Sequence, residues 1–298
     1  MRKLFIICAV ALAAVSCATT TTPAEPVKKD MAIQLYSVRS LIGKPELYQQ
    51  NQAKVLKAIA DAGFTAVEAA SYNDGKFYGV TPEQYKADVE AAGLKSYSSH
   101  TGHNLSDEEF KSGDFTESLN WWKEAIPAHK AAGMSVICIP AMRVPKTLAE
   151  LQLVCDYFNA VGKLCAEQGI LFGYHSHSFE YEKIEDQVML DYMIQHTDPQ
   201  YVFFEMDVYW AVYGRVSPVD YFKTYPGRFK VLHIKDAKEI GQSGFVGFDA
   251  IFNNFDVAGA KAYVVEIERY SYDDVLQSMK ESADYLLAAD FVKPSYAD

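Results

Sequence analysis

The sequence predicts an α/β fold consisting of one (β/α)8 TIM-type barrel over residues 31–298, and three observations carry that reading. From Met31 onward, short β-branched or aromatic runs alternate with longer helical patterns. The alternation recurs at a spacing of about 30 residues, giving the eight units that a barrel of ~250 residues needs. The stretch Leu35-Tyr36-Ser37-Val38-Arg39 lacks the glycine-rich phosphate loop expected after the first strand of a doubly wound open sheet.

Taken in order, strands are expected at 32–37 and 66–70, on either side of a helix at 49–62 that Gly63 stops. A helix at 82–92 starts at Thr81-Pro82, where a hydroxyl cap precedes a proline in the first turn, and stops at Gly93. Strand 95–99, helix 119–132 and strand 135–140 follow, with Gly133 as the breaker. Helix 148–168 ends at Gly169 before strand 170–175, and helix 188–196 precedes strand 201–207. A further start at Ser217-Pro218 leads to strand 229–235, and Gly259 precedes strand 262–267 and the last helix, 273–289. Glycine recurs at these stops because a helix end needs a left-handed residue, which glycine adopts cheaply.

The N-terminus carries a different signal. Arg2 and Lys3 precede an apolar stretch that ends in Ala14-Val15-Ser16-Cys17, so residues 1–17 read as a lipoprotein-type signal peptide with Cys17 the lipidated residue. The apolar run is shorter than the ~20 residues of a spanning helix. Residues 18–30, rich in Thr, Pro and Lys, read as a flexible tether. The expected location is therefore outside the cytoplasm, periplasmic or on a membrane through a lipid anchor only. The formal charge of −11 argues against a nucleic-acid partner, since such partners bind through released counterions on Lys and Arg. Cys138, Cys155 and Cys165 lie in apolar contexts without metal-type spacing and read as buried free thiols.

In a barrel of this kind the chemistry gathers at the C-terminal ends of the strands. Those ends carry Tyr36 and Arg39, Glu68, His100 with His103 beyond, Pro140 and Arg143, then His175, His177 and Glu180. They continue with Asp207, His233-Ile234-Lys235-Asp236, and Glu266 with Glu268. A single carboxylate after a strand is most often a helix cap, but a run of carboxylates and imidazoles on strands five to eight is not explained that way. Glu180, Asp207, His233 and Glu266 supply three carboxylates and one imidazole, a donor set suited to Mn, Mg, Co or Zn. Without a cation the three anions would repel one another. On the fifth strand His175, His177 and Glu180 compete for the ligand position. His129 and His196 fall in helical segments and read as structural.

At these residues the chain resembles the sugar phosphate isomerase/epimerase-like, or xylose isomerase-like, TIM-barrel superfamily, as an exported lipoprotein member. The resemblance rests on Gln34-Leu-Tyr-Ser-Val-Arg39, Tyr174-His-Ser-His-Ser-Phe-Glu180, Met206-Asp-Val-Tyr-Trp210, His233-Ile-Lys-Asp236 and Val265-Glu266. It implies a Glu-Asp-His-Glu metal site, here Glu180, Asp207, His233 and Glu266. Two features depart from the pattern. Some relatives place the first Glu directly at the fifth strand end, where this chain has Tyr174-His175, and many carry a His where Trp210 stands.

Such a site is expected to remove a proton next to a sugar carbonyl. Glu180, His175 or His177 is the expected base on one face and Glu266 on the other, with Lys235 neutralising oxyanion charge. Tyr36, Glu68, His100 and Trp210 are the expected substrate contacts. The outcome is isomerisation, epimerisation or elimination on a non-phosphorylated sugar, and the resemblance adds 3-keto-glycosides to the candidate substrates. The glycine-rich segment 241–247 could hold a phosphate, but a lid or turn is the preferred reading. The reading from a different class is a non-catalytic carbohydrate-binding barrel, to which Trp121-Trp122 and the 20 tyrosines would also suit. An oligomer is compatible with the sequence, though no feature specifies one.

Overall fold

The computed structural model describes residues 28–297, so the leader ending at Cys17 and most of the 18–30 segment lie outside the described residues. Lys29 and Asp30, assigned to the tether on composition, already belong to the folded body. The Lys29 ammonium donates to the carbonyls of Leu286 (3.0 Å) and Ala289 (2.7 Å), and Asp30 N–H donates to Pro294 O at 2.7 Å.

Eight parallel strands close into a barrel. They are β1 (Ala32–Gln34), β2 (Ala66–Ala69), β3 (Lys95–His100), β4 (Val136–Ile139), β5 (Leu171–Ser176), β6 (Val202–Asp207), β7 (Val231–Lys235) and β8 (Ala262–Glu266). Each pairs with its neighbours in sequence, and β8 returns to pair with β1. The expected fold class is therefore the observed one. The main covering helices are α1 (Pro45–Asp61), α2 (Pro82–Ala91), α3 (Thr116–Ala131), α4 (Leu148–Glu167), α5 (Met189–His196), α6 (Pro218–Thr224), α7 (Phe248–Phe252) and α8 (Val275–Ala288). Thr81, Thr147, Ser217 and Asp274 cap the helices they precede by accepting a backbone N–H. Gly63 and Gly133 end theirs at φ 102° and 83°, conformations that a Cβ would strain.

The first strand is three residues shorter than its apolar run suggests. The Gln34 side chain accepts Tyr36 N–H at 3.0 Å and turns Leu35–Val38 into a 3-10 helix. Two small hairpins also escaped the sequence reading, Tyr72–Asn73 with Lys76–Phe77 and Lys183–Ile184 with Gln187–Val188. Runs of two residues are too short to carry a periodic signal.

The barrel interior is layered, and strand periodicity sets the layers. Ala32, Ala66, Val136, Cys138, Phe203, Val231 and Val264 form an apolar plug at the bottom. The Phe203 ring fills the centre opposite Gly173, where a Cβ would lie 2.6 Å from the ring. Two residues further along the same strands, on the same inward face, the interior turns polar. Ala32 gives way to Gln34, Ala66 to Glu68, Phe203 to Glu205, Val231 to His233 and Val264 to Glu266, all buried. One more step brings Asp207 and Lys235 to the rim. Cys138, Cys155 and Cys165 are free and buried, and burial raises all three thiol pKa values.

Candidate active site and metal centre

The polar layer is a closed network centred on two carboxylates. Glu68 lies opposite Gln34 in the β1–β2 register and accepts its amide at 2.8 Å. A bulge between Val67 and Glu68 shifts the β2–β3 register so that Ser98 stands beside Glu68 and donates at 2.7 Å. The same carboxylate approaches His233 Nε2 and His100 Nε2, each at 3.1 Å. Glu205 takes His100 Nε2 at 2.7 Å and His175 Nδ1 at 3.1 Å. Burial alone would lower the His233 and His100 pKa values. The carboxylates outweigh it: Glu205 with Asp207 and Glu68 raises His233, and Glu68 with Glu205 raises His100. Burial would raise Glu205, but His233 and His100 hold it below the usual carboxylate range. His175 goes the other way, lowered by burial and by the neighbouring imidazoles.

Two expectations change here. Glu68 was expected to touch substrate but is fully buried beneath the pocket, because it faces inward one step above Ala66. Glu205 was not singled out, yet its oxygen converges with the nitrogens of His100, His175 and His233 within 4.8 Å. The clue was available: Glu205 shares strand parity with Asp207 and is a charge inside an otherwise apolar strand.

Above this layer, donor atoms of Asp207, His233 and Glu266 converge within 4.8 Å. Asp207 and His233 are partners in the β6–β7 register. One Asp207 oxygen caps the following helix by accepting Trp210 N–H at 2.9 Å. The other, Oδ2, is buried without a hydrogen-bond partner among the described residues, as is His233 Nδ1. These two atoms stand 3.7 Å apart, beyond hydrogen-bond reach, and Glu266 Oε2 is also 3.7 Å from His233 Nδ1. Buried polar atoms without partners are costly, and here they point at one another around a shared space. His233 is meanwhile anchored through its other nitrogen to a carboxylate, the arrangement that orients a metal-binding imidazole. The residues present therefore fit a divalent cation.

Glu180, the remaining expected ligand, lies outside that convergent group. It sits on a 3-10 turn beyond β5 and accepts the Tyr174 hydroxyl at 2.6 Å and His177 N–H at 2.8 Å. Burial pushes its pKa up to about 7, against the lowering effect of those hydrogen bonds, and the Asp207 charge pushes the same way as burial.

The pocket over the site measures about 240 Å3 and is lined by Tyr36, His100, His175, His177, Glu266 and Glu268 among others. His177 Nδ1 is buried with no hydrogen-bond partner among the described residues, and burial lowers the ring's pKa, which favours the neutral form. Lys235 ion-pairs with Glu266 at 2.8 Å and with Glu268, and its ammonium stands 5.4 Å from the Trp210 ring centre. Burial would lower the lysine, but Glu266, Asp207 and Glu268 hold it above its ordinary value and protonated. Arg39 stacks over Tyr36 at 4.1 Å. His103 and Arg143 lie elsewhere, His103 against Trp121 and Arg143 paired with Asp107. His129 is a core residue, bonded to Ala125 O and Thr101. In segment 241–247 the Asp236 carboxylate accepts Gly241 N–H at 3.1 Å and the Ser243 hydroxyl, so this turn is built around an internal anion.

A family model described as a xylose isomerase-like TIM barrel matches residues 56–289. The chain belongs to the xylose isomerase-like TIM-barrel family. A solved sugar phosphate isomerase/epimerase from Parabacteroides distasonis ATCC 8503 superposes with a TM-score of 0.81 at 32% identity, covering 94% of this chain and 100% of that one. An inosose dehydratase from Geobacillus kaustophilus (strain HTA426) is 24% identical over 211 residues, 66% of this chain and 65% of the relative's length. The match thus spans just under two thirds of that relative. A 3-keto-D-glucoside 4-epimerase from E. coli shares the fold, with a TM-score of 0.60 at 18% identity, covering 88% of this chain and 100% of that one.

Proposed function

We propose that this xylose isomerase-like barrel is a divalent-metal-dependent enzyme that removes a proton beside the carbonyl of a non-phosphorylated sugar, a 3-keto-glycoside being the preferred substrate. The observation that carries the reading is the convergence of Asp207 Oδ2, His233 Nδ1 and Glu266 around a buried space, with the two unpartnered atoms facing inward beside an unpartnered imidazole. Asp207, His233 and Glu266 would hold the ion, with Glu180 as the fourth candidate. When bound, the ion supplies Lewis-acid polarisation of the substrate carbonyl.

The chain's own residues supply the rest. His177, which lines the pocket, takes the proton, since burial lowers its pKa and keeps the ring neutral. Glu180 steadies it by accepting the His177 backbone N–H. Lys235, held protonated by its carboxylate neighbours, would neutralise the negative charge that develops on the substrate oxygen. On a 3-keto-glycoside the C2–H bond breaks, the C1–C2 double bond forms and the C1–O bond to the leaving group breaks. The leaving oxygen gains a proton, returned by the protonated His177, so the elimination balances with no net change of protons. Inverting a carbon beside the carbonyl, or removing water β to it, begins with the same proton abstraction. The names of the relatives, a dehydratase and a 3-keto-D-glucoside 4-epimerase, support this common first step. We further propose export through the N-terminal leader, which would meet glycosides rather than phosphorylated metabolites.

Product analysis tests the proposal. Metal-loaded protein incubated with a methyl 3-keto-glucoside should release methanol and form an enone or its hydrate, and Asp207→Ala should abolish both. Release of methanol without a metal requirement would overturn the mechanism.

A further inference from the structure

The described aromatic side chains are exposed in one region only. Tyr36, Tyr213 and Phe245 are 42%, 58% and 45% exposed, and every other described tyrosine, phenylalanine and tryptophan is buried or half-buried. All three follow the C-terminal ends of barrel strands, β1, β6 and β7. Large apolar rings held in water and gathered on one face mark a surface that meets a ligand. Tyr36 belongs to the central pocket, whereas Tyr213 and Phe245 flank a separate groove of about 740 Å3 that also includes Phe179, Glu182, Gly214 and Arg215.

The two cavities are lined by different residues, and aromatic contacts link one lining to the other. His177, which lines the central pocket, stacks on Phe179 at 6.0 Å and 13° and lies 5.9 Å from Trp210. Trp210 meets Tyr213 edge-on at 5.4 Å, and Tyr209 bridges Tyr213 at 6.0 Å and Phe245 at 5.6 Å. A line of rings therefore runs from the candidate base into the groove.

The groove is also shaped at the backbone level. A Cβ on Gly214 would meet the Tyr181 ring at 2.7 Å, so the turn lies close only because this residue is glycine. Arg215 adopts φ 64°, a left-handed conformation that strains a non-glycine residue and that clusters at ligand clamps. Its exposed guanidinium makes no ion pair among the described residues. Flat ring faces beside one guanidinium and the Glu182 carboxylate suit a ring with C–H faces and hydroxyl edges, which is a carbohydrate.

We propose that this groove is a second carbohydrate subsite, holding the sugar ring attached to the one that reacts in the central pocket. The inference rests on the reading that the central pocket takes a sugar, and it makes the natural substrate at least a disaccharide.

Two measurements on the metal-loaded full chain test it. The first compares turnover of a 3-keto β-glucosyl-glucose with turnover of methyl 3-keto-β-glucoside. Tyr213→Ala and Phe245→Ala should each raise KM for the disaccharide roughly tenfold and leave the methyl glycoside unchanged. Equal effects on both substrates, or none on either, would overturn the subsite. The second is saturation-transfer NMR with unoxidised cellobiose. Transfer to both rings of cellobiose, with the second-ring signal lost in Tyr213→Ala, supports the groove even if neither keto-sugar turns over, in which case only the proposed reaction fails. Absence of transfer to the second ring in the unmodified protein would overturn the subsite whatever the turnover.

Discussion

Replacing Glu68 by glutamine should weaken metal binding without the residue touching the metal. Glu68 is buried and meets Gln34 Nε2, Ser98 Oγ, His100 Nε2 and His233 Nε2 at 2.8, 2.7, 3.1 and 3.1 Å. An amide of the same shape keeps one acceptor oxygen but turns an NH2 group toward donors. The contact to His233 fixes the ring so that Nδ1 points toward Asp207 and Glu266. A hydrogen bond to a charged group contributes about 1.5–3 kcal/mol, and supporting contacts of this kind change metal affinity by about 10–100-fold. At 1.36 kcal/mol per tenfold step, that range corresponds to roughly 1.4–2.7 kcal/mol, so the two arguments agree. Mn2+ and Zn2+ affinities measured by competition against a chromophoric chelator should fall by that factor, while the far-UV circular dichroism stays unchanged. An affinity within twofold of the unmodified protein, with the fold intact, would refute the claim that Glu68 orients His233.

Further expectations follow from the same geometry. Asp207→Ala and His233→Ala should each lose stoichiometric metal and turnover together, as read by elemental analysis and product assay. His129 has its pKa lowered to about 4 by burial, from an ordinary value of 6.5. The unfolded chain therefore takes up a proton that the folded chain refuses, and stability is complete above about pH 6.5 and declines as pH falls toward 4. The expected loss is about 3 kcal/mol, and His129→Gln should flatten the pH dependence of the urea midpoint between those limits. Gly173→Ala should lower the melting temperature by an amount equivalent to about 1–3 kcal/mol, because the new Cβ would lie 2.6 Å from the Phe203 ring.

The barrel was legible in the sequence because each strand–helix unit carries its own periodicity and stop signal, and glycine at 63, 93, 133, 169 and 259 takes positive φ. The rim of the site was legible for the same reason, since a strand end is visible in sequence. That reading named Asp207, His233 and Glu266, whose donor atoms lie within 4.8 Å of one another, and Lys235 beside them. The layer beneath the rim was not, because it consists of residues inside strands. Phe203-Phe204-Glu205-Met206 reads as a buried strand, and only the inward parity shared with Asp207 reveals that Glu205 meets His100 and His175. Glu68 is at a strand end, as the sequence indicates, but it is expected to contact substrate and instead meets Ser98 and His233, since a strand register with a bulge sets its neighbours. The orientation of Glu180 depends on a 3-10 turn and on Tyr174, six residues earlier, a contact that no periodicity encodes.

The central claim is proton removal beside a carbonyl at a metal-dependent site, and solvent exchange reads it most directly. The protein would be stripped of metal, incubated in heavy water with a methyl 3-keto-glucoside, and followed by NMR before and after addition of Mn2+, Co2+, Mg2+ or Zn2+. The account predicts deuterium at the carbon next to the carbonyl, in recovered substrate or product, only when metal is restored, and loss of that exchange in His177→Gln. Exchange that persists without metal, or its absence with every ion tested, would contradict the account.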